Sequence, residues 1–365
     1  MATWTQGFER RDGLLIAAAV TLYVGYLCLG HFSSESPSPW YEKKLAASRL
    51  AQQGMAAVKR EKRARGISID RVSDVNETGM IGIRYSGMTT TLGVLEAKRT
   101  STQPDFAALA VDLLQQCGAQ DGDRIAVNLS GSFPALGISV LSAAQVMHLR
   151  AVVIASLGAS MWGANDPRFT WLDMVQAIHD TTEIRTQMAA VSLGGAGDAG
   201  HDMDDEIREQ LRAHIKASAI PLIEEVDFES NIAQRMALYL AGGTPVCFVN
   251  VGGNLASGGA KGDYGALHPG LIGSQAASSA GTAGLIGAFL ERKVPVIHLL
   301  DMKALALLAG LPYDPVPVPE PGSGGIFRSQ HYNRAYIIAL LAVAASLLAA
   351  YVGMGRPRKI VSPMR

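Results

Sequence analysis

The chain predicts an α/β protein: a mostly parallel, Rossmann-like sheet with helices on both faces, flanked by an N-terminal and a C-terminal transmembrane helix. Three observations carry that prediction. Between residues 67 and 310, short apolar runs alternate with segments of helical periodicity, the pattern that parallel βαβ units produce. Most of those apolar runs end in a Gly/Ser/Thr-rich loop. Two uncharged apolar runs, each long enough to cross a bilayer, lie near the ends of the sequence. The 365 residues are 48% hydrophobic and formally neutral, so a large core is affordable and nothing marks a nucleic-acid binder.

In chain order, residues 1–13 form a short N-terminus carrying Arg10 and Arg11, and 14–30 (LLIAAAVTLYVGYLCLG) form the first span. A secretory signal also begins with basic residues and an apolar run. No small-x-small site follows here, and Leu27 before Cys28 spoils a lipoprotein-type cleavage site, so a retained anchor is expected. Residues 31–66 read as a linker and a basic stalk helix, with Ala47, Leu50, Ala51, Gly54 and Val58 on one stripe and Lys59, Arg60, Lys62, Arg63 and Arg65 at its end. That basic end suits either an anionic partner or plain solvation of a helix terminus. Residues 67–310 form the α/β domain, 311–334 a Pro/Gly linker, 335–354 (AYIIALLAVAASLLAAYVGM) the second span, and 355–365 a basic tail. Basic residues beside each span place both termini in the cytoplasm and the domain outside it, in the cell membrane of the organism.

Strands are expected at Met80–Arg84, Arg124–Leu129, Ala151–Ala155, Met188–Leu193, Ala219–Ile223, Val246–Val251 and Val294–Leu300. The stretch Arg124–Asp166 is one βαβ unit with a polar loop after each strand, and in open parallel sheets such loops bind ligands. Cys117 and Cys247 fall in core elements, as buried thiols or, in an oxidising compartment, as a pair; no cysteine ladder marks a disulfide framework or zinc site.

The candidate ligand-binding residues lie in these loops: Thr89, Thr90, Thr91, Lys98, Arg99, Ser130, Gly131, Ser132, Trp162, Asn165, Asp166, Asn250, Gly252 and Gly253. Ser130-Gly131-Ser132 precedes Phe133-Pro134, a helix start able to hold a carboxylate, although Ser132 can equally serve as a plain cap. Lys98 and Arg99 can clamp a carboxylate or be solvated. Trp162 and Trp171 flank the Asn165-Asp166 pair, as walls of a groove or as a plug. Catalysis would need Ser130 or Thr90 as nucleophile, with His201 or His268 as base for a serine, but the G-x-S-x-G spacing of a nucleophile elbow is absent. Gly195–Gly200 matches G-x-G-x-x-G, yet Asp198, Asp202, Asp204 and Asp205 put negative charge where a pyrophosphate would lie. The Asp198/His201/Asp202/Asp204 group offers oxygen ligands that N-capping and solvation also explain. Neither a cofactor nor a metal is expected.

The segments TTTLGVLEAKRTSTQPDFAALAVDLL, LSGSFPALGISVLSA, SLGASMWGANDPRFTWLDM, FVNVGGNLASGG and VPVIHLLDMKALA together resemble the bacterial family called poly-gamma-glutamate system protein. The resemblance covers nearly the whole chain, including YEKKLAASRLA and both spans. It implies a membrane-anchored accessory subunit of poly-γ-glutamate (capsule) synthesis and export. Its implied partners are the poly-γ-glutamate ligase, that ligase's small membrane subunit, the polymer chain and the membrane. It implies no catalytic residues. The alternative, from another class, is an extracytoplasmic γ-glutamyl hydrolase or transferase that trims or releases the polymer.

Overall fold

The computed structural model describes residues 12–225, 227–259, 267–273 and 284–354. It divides into two compact units, one made of residues 1–37 with 328–365 and the other of residues 38–327.

In the first unit, Asp12–Phe32 and Arg334–Met354 are helical segments of 21 residues each, long and apolar enough to cross a membrane. They pack closely because Gly25 has no side chain: a Cβ there would fall 2.4 Å from Leu340 Cδ1. Ser33–Pro37 pairs antiparallel with Arg328–Tyr332, and Phe32 stacks on Tyr336 with ring centroids 4.2 Å apart. The basic residues that would orient the spans, Arg10, Arg11 and those of the tail, lie outside the described residues.

The second unit is a seven-stranded sheet. Its strands are β1 (Arg124–Ser130), β2 (Arg150–Ser156), β3 (Met188–Ser192), β4 (Leu222–Ile223), β5 (Cys247–Val251), β6 (Gly270–Ile272) and β7 (Val296–Leu299). Their order is β4-β3-β2-β1-β5-β7-β6, and every pairing is parallel except that of the edge strand β6 with β7. The expected mostly parallel sheet is therefore present. The run Met80–Arg84 is not a strand. Its backbone winds instead past residues 162–165, where a Cβ on Gly82 would fall 1.8 Å from the Gly163 carbonyl oxygen.

Alternate residues of each strand face two separate cores. Ile125, Val127 and Leu129 join the larger core, whereas Ala126 joins the smaller. The larger core is covered by α1 (Tyr41–Ala64), α3 (Phe106–Gln116), α4 (Pro134–Val146), α5 (Trp171–Thr181) and α6 (Asp205–Ala217), with the short α2 (Leu95–Thr100) preceding α3. The smaller core takes its apolar contacts from α7 (Phe228–Leu240) and α8 (Leu285–Glu291). A last helix, α9 (Met302–Leu308), follows β7.

The expected stalk is a correction. α1 is a layer of the domain: Ala47, Leu50, Ala51, Gly54, Met55 and Val58 are buried, and a Cβ on Gly54 would lie 2.8 Å from Ile138 of α4. Its basic end is largely consumed by structure. Buried Lys62 donates to the carbonyls of Gly79 and Ile81, and Arg65 binds Asp173 at 2.7 Å. The Pro/Gly linker also folds onto the domain as far as Phe327, with the Gly322 and Gly324 amides donating to the buried Asp105 carboxylate. The chain leaves this unit where it enters it. The Ser38 amide donates to the Phe327 carbonyl, and the buried Lys44 ammonium clamps the neck through Ser38 Oγ, the Ile326 carbonyl and Asp112.

Candidate functional site

Strand order reverses direction at β1: β2, β3 and β4 follow on one side, and β5, then β7, on the other. The loops after β1 and β5 therefore diverge, and a crevice opens at the carboxyl end of the sheet, where open α/β sheets bind ligands. Here it is a pocket of about 760 Å³. Its walls come from the segment before and including α2 (Thr90, Leu92, Val94, Lys98), from loops after β1 (Ser130, Ser132, Phe133), β2 (Ser156, Ser160) and β3 (Asp202), and from those after β5 (Gly253, Asn254) and β7 (Asp301, Lys303).

Polar register feeds this edge. Ser130, Ser156 and Ser192 are aligned neighbours across β1, β2 and β3, and one step deeper Asn128, Asn250 and His298 are aligned across β1, β5 and β7. The deeper row is a hydrogen-bonded floor. Asn128 Nδ2 donates to Asn250 Oδ1 at 3.3 Å and to Ser257 Oγ at 2.7 Å, and Asn250 Nδ2 lies 3.1 Å from His298 Nδ1. Burial lowers the His298 pKa to about 4, so its ring is neutral at physiological pH. The floor continues to Arg235, wholly buried on α7. Its guanidinium donates to Asn128 Oδ1, Asn231 Oδ1, Ser192 Oγ and, at 2.5 Å, Asp198 Oδ2. Asp198 belongs to the G-x-G-x-x-G stretch, and its buried carboxylate faces Arg235 rather than a bound phosphate.

Lys98 is the exceptional group of the pocket. Its side chain is almost wholly buried, and its Nζ donates to the Ser132 carbonyl, contacts Ser160 Oγ at 2.6 Å and lies 3.7 Å from the centre of the Phe133 ring. Among the described residues it makes no ion pair, and burial alone lowers its pKa to about 7. Ser160 is fixed from the other side. Its amide donates to Ser132 Oγ at 3.0 Å, and the Ser132 amide donates to Ser130 Oγ at 3.2 Å. Thr89–Thr91 pairs in parallel with Ala159–Ser160, which brings the threonine loop to the same wall.

Of the candidate ligand-binding residues, Thr90, Thr91, Lys98, Ser130, Ser132 and Gly253 line the pocket. The others do not. Thr89 Oγ1 accepts from the Ser86 amide and from Asn165 Nδ2, and Asn165 also braces the Ile83 backbone. Arg99 is held by Asp314 through bonds of 2.6 and 2.5 Å. Asp166 pairs with Arg168, and Trp162 and Trp171 line no part of the pocket; among the described residues their buried indole nitrogens have no hydrogen-bond partner, so the tryptophans plug the structure instead of walling the groove. The Gly131 amide and carbonyl are used by Ser156 and Ala164. Asn250 belongs to the buried floor and not to the lining, and Gly252, with a left-handed φ of 80°, lets β5 turn against Ser130. Ser132 does not cap α4; Phe133 occupies that position and the Ser132 hydroxyl serves Ser160. His201 and His268 are exposed and line no part of the pocket, so neither is a base for Ser130. No group of three or more His, Cys, Asp or Glu among the described residues is placed to hold a metal ion.

Compared with protein-family models, curated proteins and solved structures, the chain matches none of them. Its chemistry is therefore read from the pocket alone. The residues missed in the sequence are Ser160, Phe133, Asn254, Asp301 and Lys303. Ser160 lay inside a loop already marked as polar, but its partner Lys98 is 62 positions away, and only the pairing of Thr89–Thr91 with Ala159–Ser160 joins them.

Proposed function

We propose that this chain is a membrane-anchored accessory component of poly-γ-glutamate synthesis and export, and that its pocket takes the end of a glutamyl chain. The pathway rests on the family resemblance of the sequence. The pocket at the point where strand order reverses is the observation that supports ligand capture, and we read the sheet as Rossmann-like on the same ground. Both termini are taken as cytoplasmic and the domain as extracytoplasmic, with the ligase and its small membrane subunit as partners.

The charge of the pocket favours a chain end over a long run of polyanion. Arg99 is neutralised by Asp314, Lys98 is buried, and Lys303 shares the pocket lining with two carboxylates, Asp301 and Asp202. A groove for extended polyanion would instead carry a stripe of unpaired cations. Binding of γ-linked glutamate oligomers of graded length to the full-length protein in nanodiscs tests this. Affinity is expected to level off after a few residues and to weaken only slightly with salt. Affinity that climbs with every added residue and falls steeply with salt overturns the chain-end reading, and no affinity at any length overturns the pocket assignment.

A further inference from the structure

We propose that the pocket is an acyl-transfer site in which the Ser160 hydroxyl is the nucleophile and the Lys98 amine is its general base. The substrate class is an amide or ester carbonyl at the end of a chain. Its identification as a γ-glutamyl carbonyl rests on the preceding reading, whereas the chemistry does not.

The geometry selects these two residues. Of the pocket serines, Ser160 is the one whose Oγ lies within 2.6 Å of the lysine nitrogen. Ser132 offers that nitrogen its carbonyl rather than its hydroxyl, and Ser130 Oγ is engaged by the Ser132 amide. A neutral amine has two N–H bonds and one lone pair. With one N–H on the Ser132 carbonyl, the lone pair is free to accept the Ser160 proton, so the carbonyl sets the orientation of the base. Serine–lysine pairs are a recognised variant of the nucleophile–base arrangement.

Burial makes the lysine competent at neutral pH. A lysine at its ordinary pKa is almost entirely ammonium and cannot accept a proton, but Lys98 is lowered to about 7 by desolvation. The charged groups around it do not reverse this. Glu96 and Arg99 share its helix, Asp314 is spent on Arg99, and Asp202, Asp301 and Lys303 stand on other walls of the pocket; none of them forms an ion pair with it. The Phe133 ring packs against the amine, its centre 3.7 Å from Nζ.

The step balances without any further reagent. Ser160 Oγ attacks the carbonyl carbon while its proton passes to Lys98 Nζ. The tetrahedral adduct collapses, the bond to the leaving amine or alcohol breaks, and Lys98 returns the proton to that group. The acyl–Ser160 ester is then attacked by water, giving hydrolysis, or by another amine, giving transfer; Lys98 takes the proton of the incoming group, the bond between the acyl carbon and Ser160 Oγ breaks, and Lys98 returns the proton to Ser160 Oγ.

The test uses a fluorophosphonate probe on the full-length protein in detergent, with the modified residue located by peptide mass spectrometry. Labelling is expected on Ser160, with a rate that rises with pH through about 7 as the amine loses its proton. Ser160→Ala should abolish it, and Lys98→Met, which keeps the side-chain volume, should slow it by about 10²–10⁴-fold. Ser218→Ala, directly after α6 and outside the pocket lining, should label as the unaltered protein does. Circular dichroism confirms that each variant is folded, and if Lys98→Met is not, Lys98→Arg replaces it: a guanidinium keeps the charge but cannot act as base. No labelling of folded protein, labelling at a residue other than Ser160, or a rate indifferent to both lysine variants overturns the proposal. Because the probe contains no glutamate, these outcomes are independent of the oligomer-binding result.

Discussion

Arg235 and Lys98 are both cations buried beside the same pocket, and they are buried in opposite ways. Arg235 meets a carboxylate, Asp198, and donates further to two asparagines and a serine. Lys98 meets a carbonyl, a hydroxyl and an aromatic face, with no carboxylate. The guanidinium cannot give up its proton under any physiological condition, so its site must neutralise it. The amine can, so its site is free to leave it uncompensated. A paired buried charge holds a structure together, whereas an unpaired buried amine is stabilised by discharging and is thereby made reactive.

Removing the paired cation breaks the comparison most severely. Arg235→Met strands the Asp198 carboxylate, 1% exposed, and should destabilise the domain by about 3–5 kcal/mol in denaturant unfolding. Adding Asp198→Asn to it should restore a large part of that loss; a double variant no better than the single one would mean that the network, rather than the stranded charge, sets the cost.

Lys98→Met should act with the opposite sign. The Lys98 pKa stands at about 7 in the folded protein against an ordinary lysine value of 10.5, so between those pH values the unfolded chain binds more protons. The penalty of burying the lysine is thus full below about pH 7 and fades as pH rises toward 10.5. The methionine variant should be more stable than the unaltered protein by on the order of 1–3 kcal/mol below pH 7, and the advantage should shrink on going alkaline. Equal pH profiles for the two proteins would show that the amine is not discharged by burial.

The smallest effect is expected at Arg99, one residue away from Lys98. Arg99→Gln opens a partly exposed pair with Asp314 and should cost less than about 1 kcal/mol. Fluorophosphonate labelling of Ser160 should continue at the unaltered rate, and a large drop would place Arg99 in the site after all.

The parts of the fold that the sequence made legible are those where local pattern and tertiary role agree. Arg124–Leu129 and Ala151–Ala155 are apolar on both sides because the sheet is covered on both faces, and each strand differs from its expected span by a residue or so at its ends. The stripe on α1 was legible as a face, but not what it would face. Ala and Gly in that stripe fit the close approach of α4, and nothing local separates a stripe that meets another helix from one on a free stalk. Met80–Arg84 has strand composition, but its hydrogen bonds go to residues 162–165 in an irregular path. At the site, the convergence of polar loops followed from the parallel sheet, whereas the roles of neighbouring residues did not. Lys98 and Arg99 are adjacent in sequence, yet one lines the pocket and the other binds Asp314, because successive helical positions diverge by about 100°.

The neck formed by Ser38, Phe327 and Lys44 has a mechanical consequence. Any pull transmitted along either tether meets this clamp before it reaches the sheet. Tension is borne first by the bonds that join the first and last residues of the domain. The same closure makes residues 38–327 an excisable module, whose ends can be sealed to each other by a short peptide without stretching the parts between.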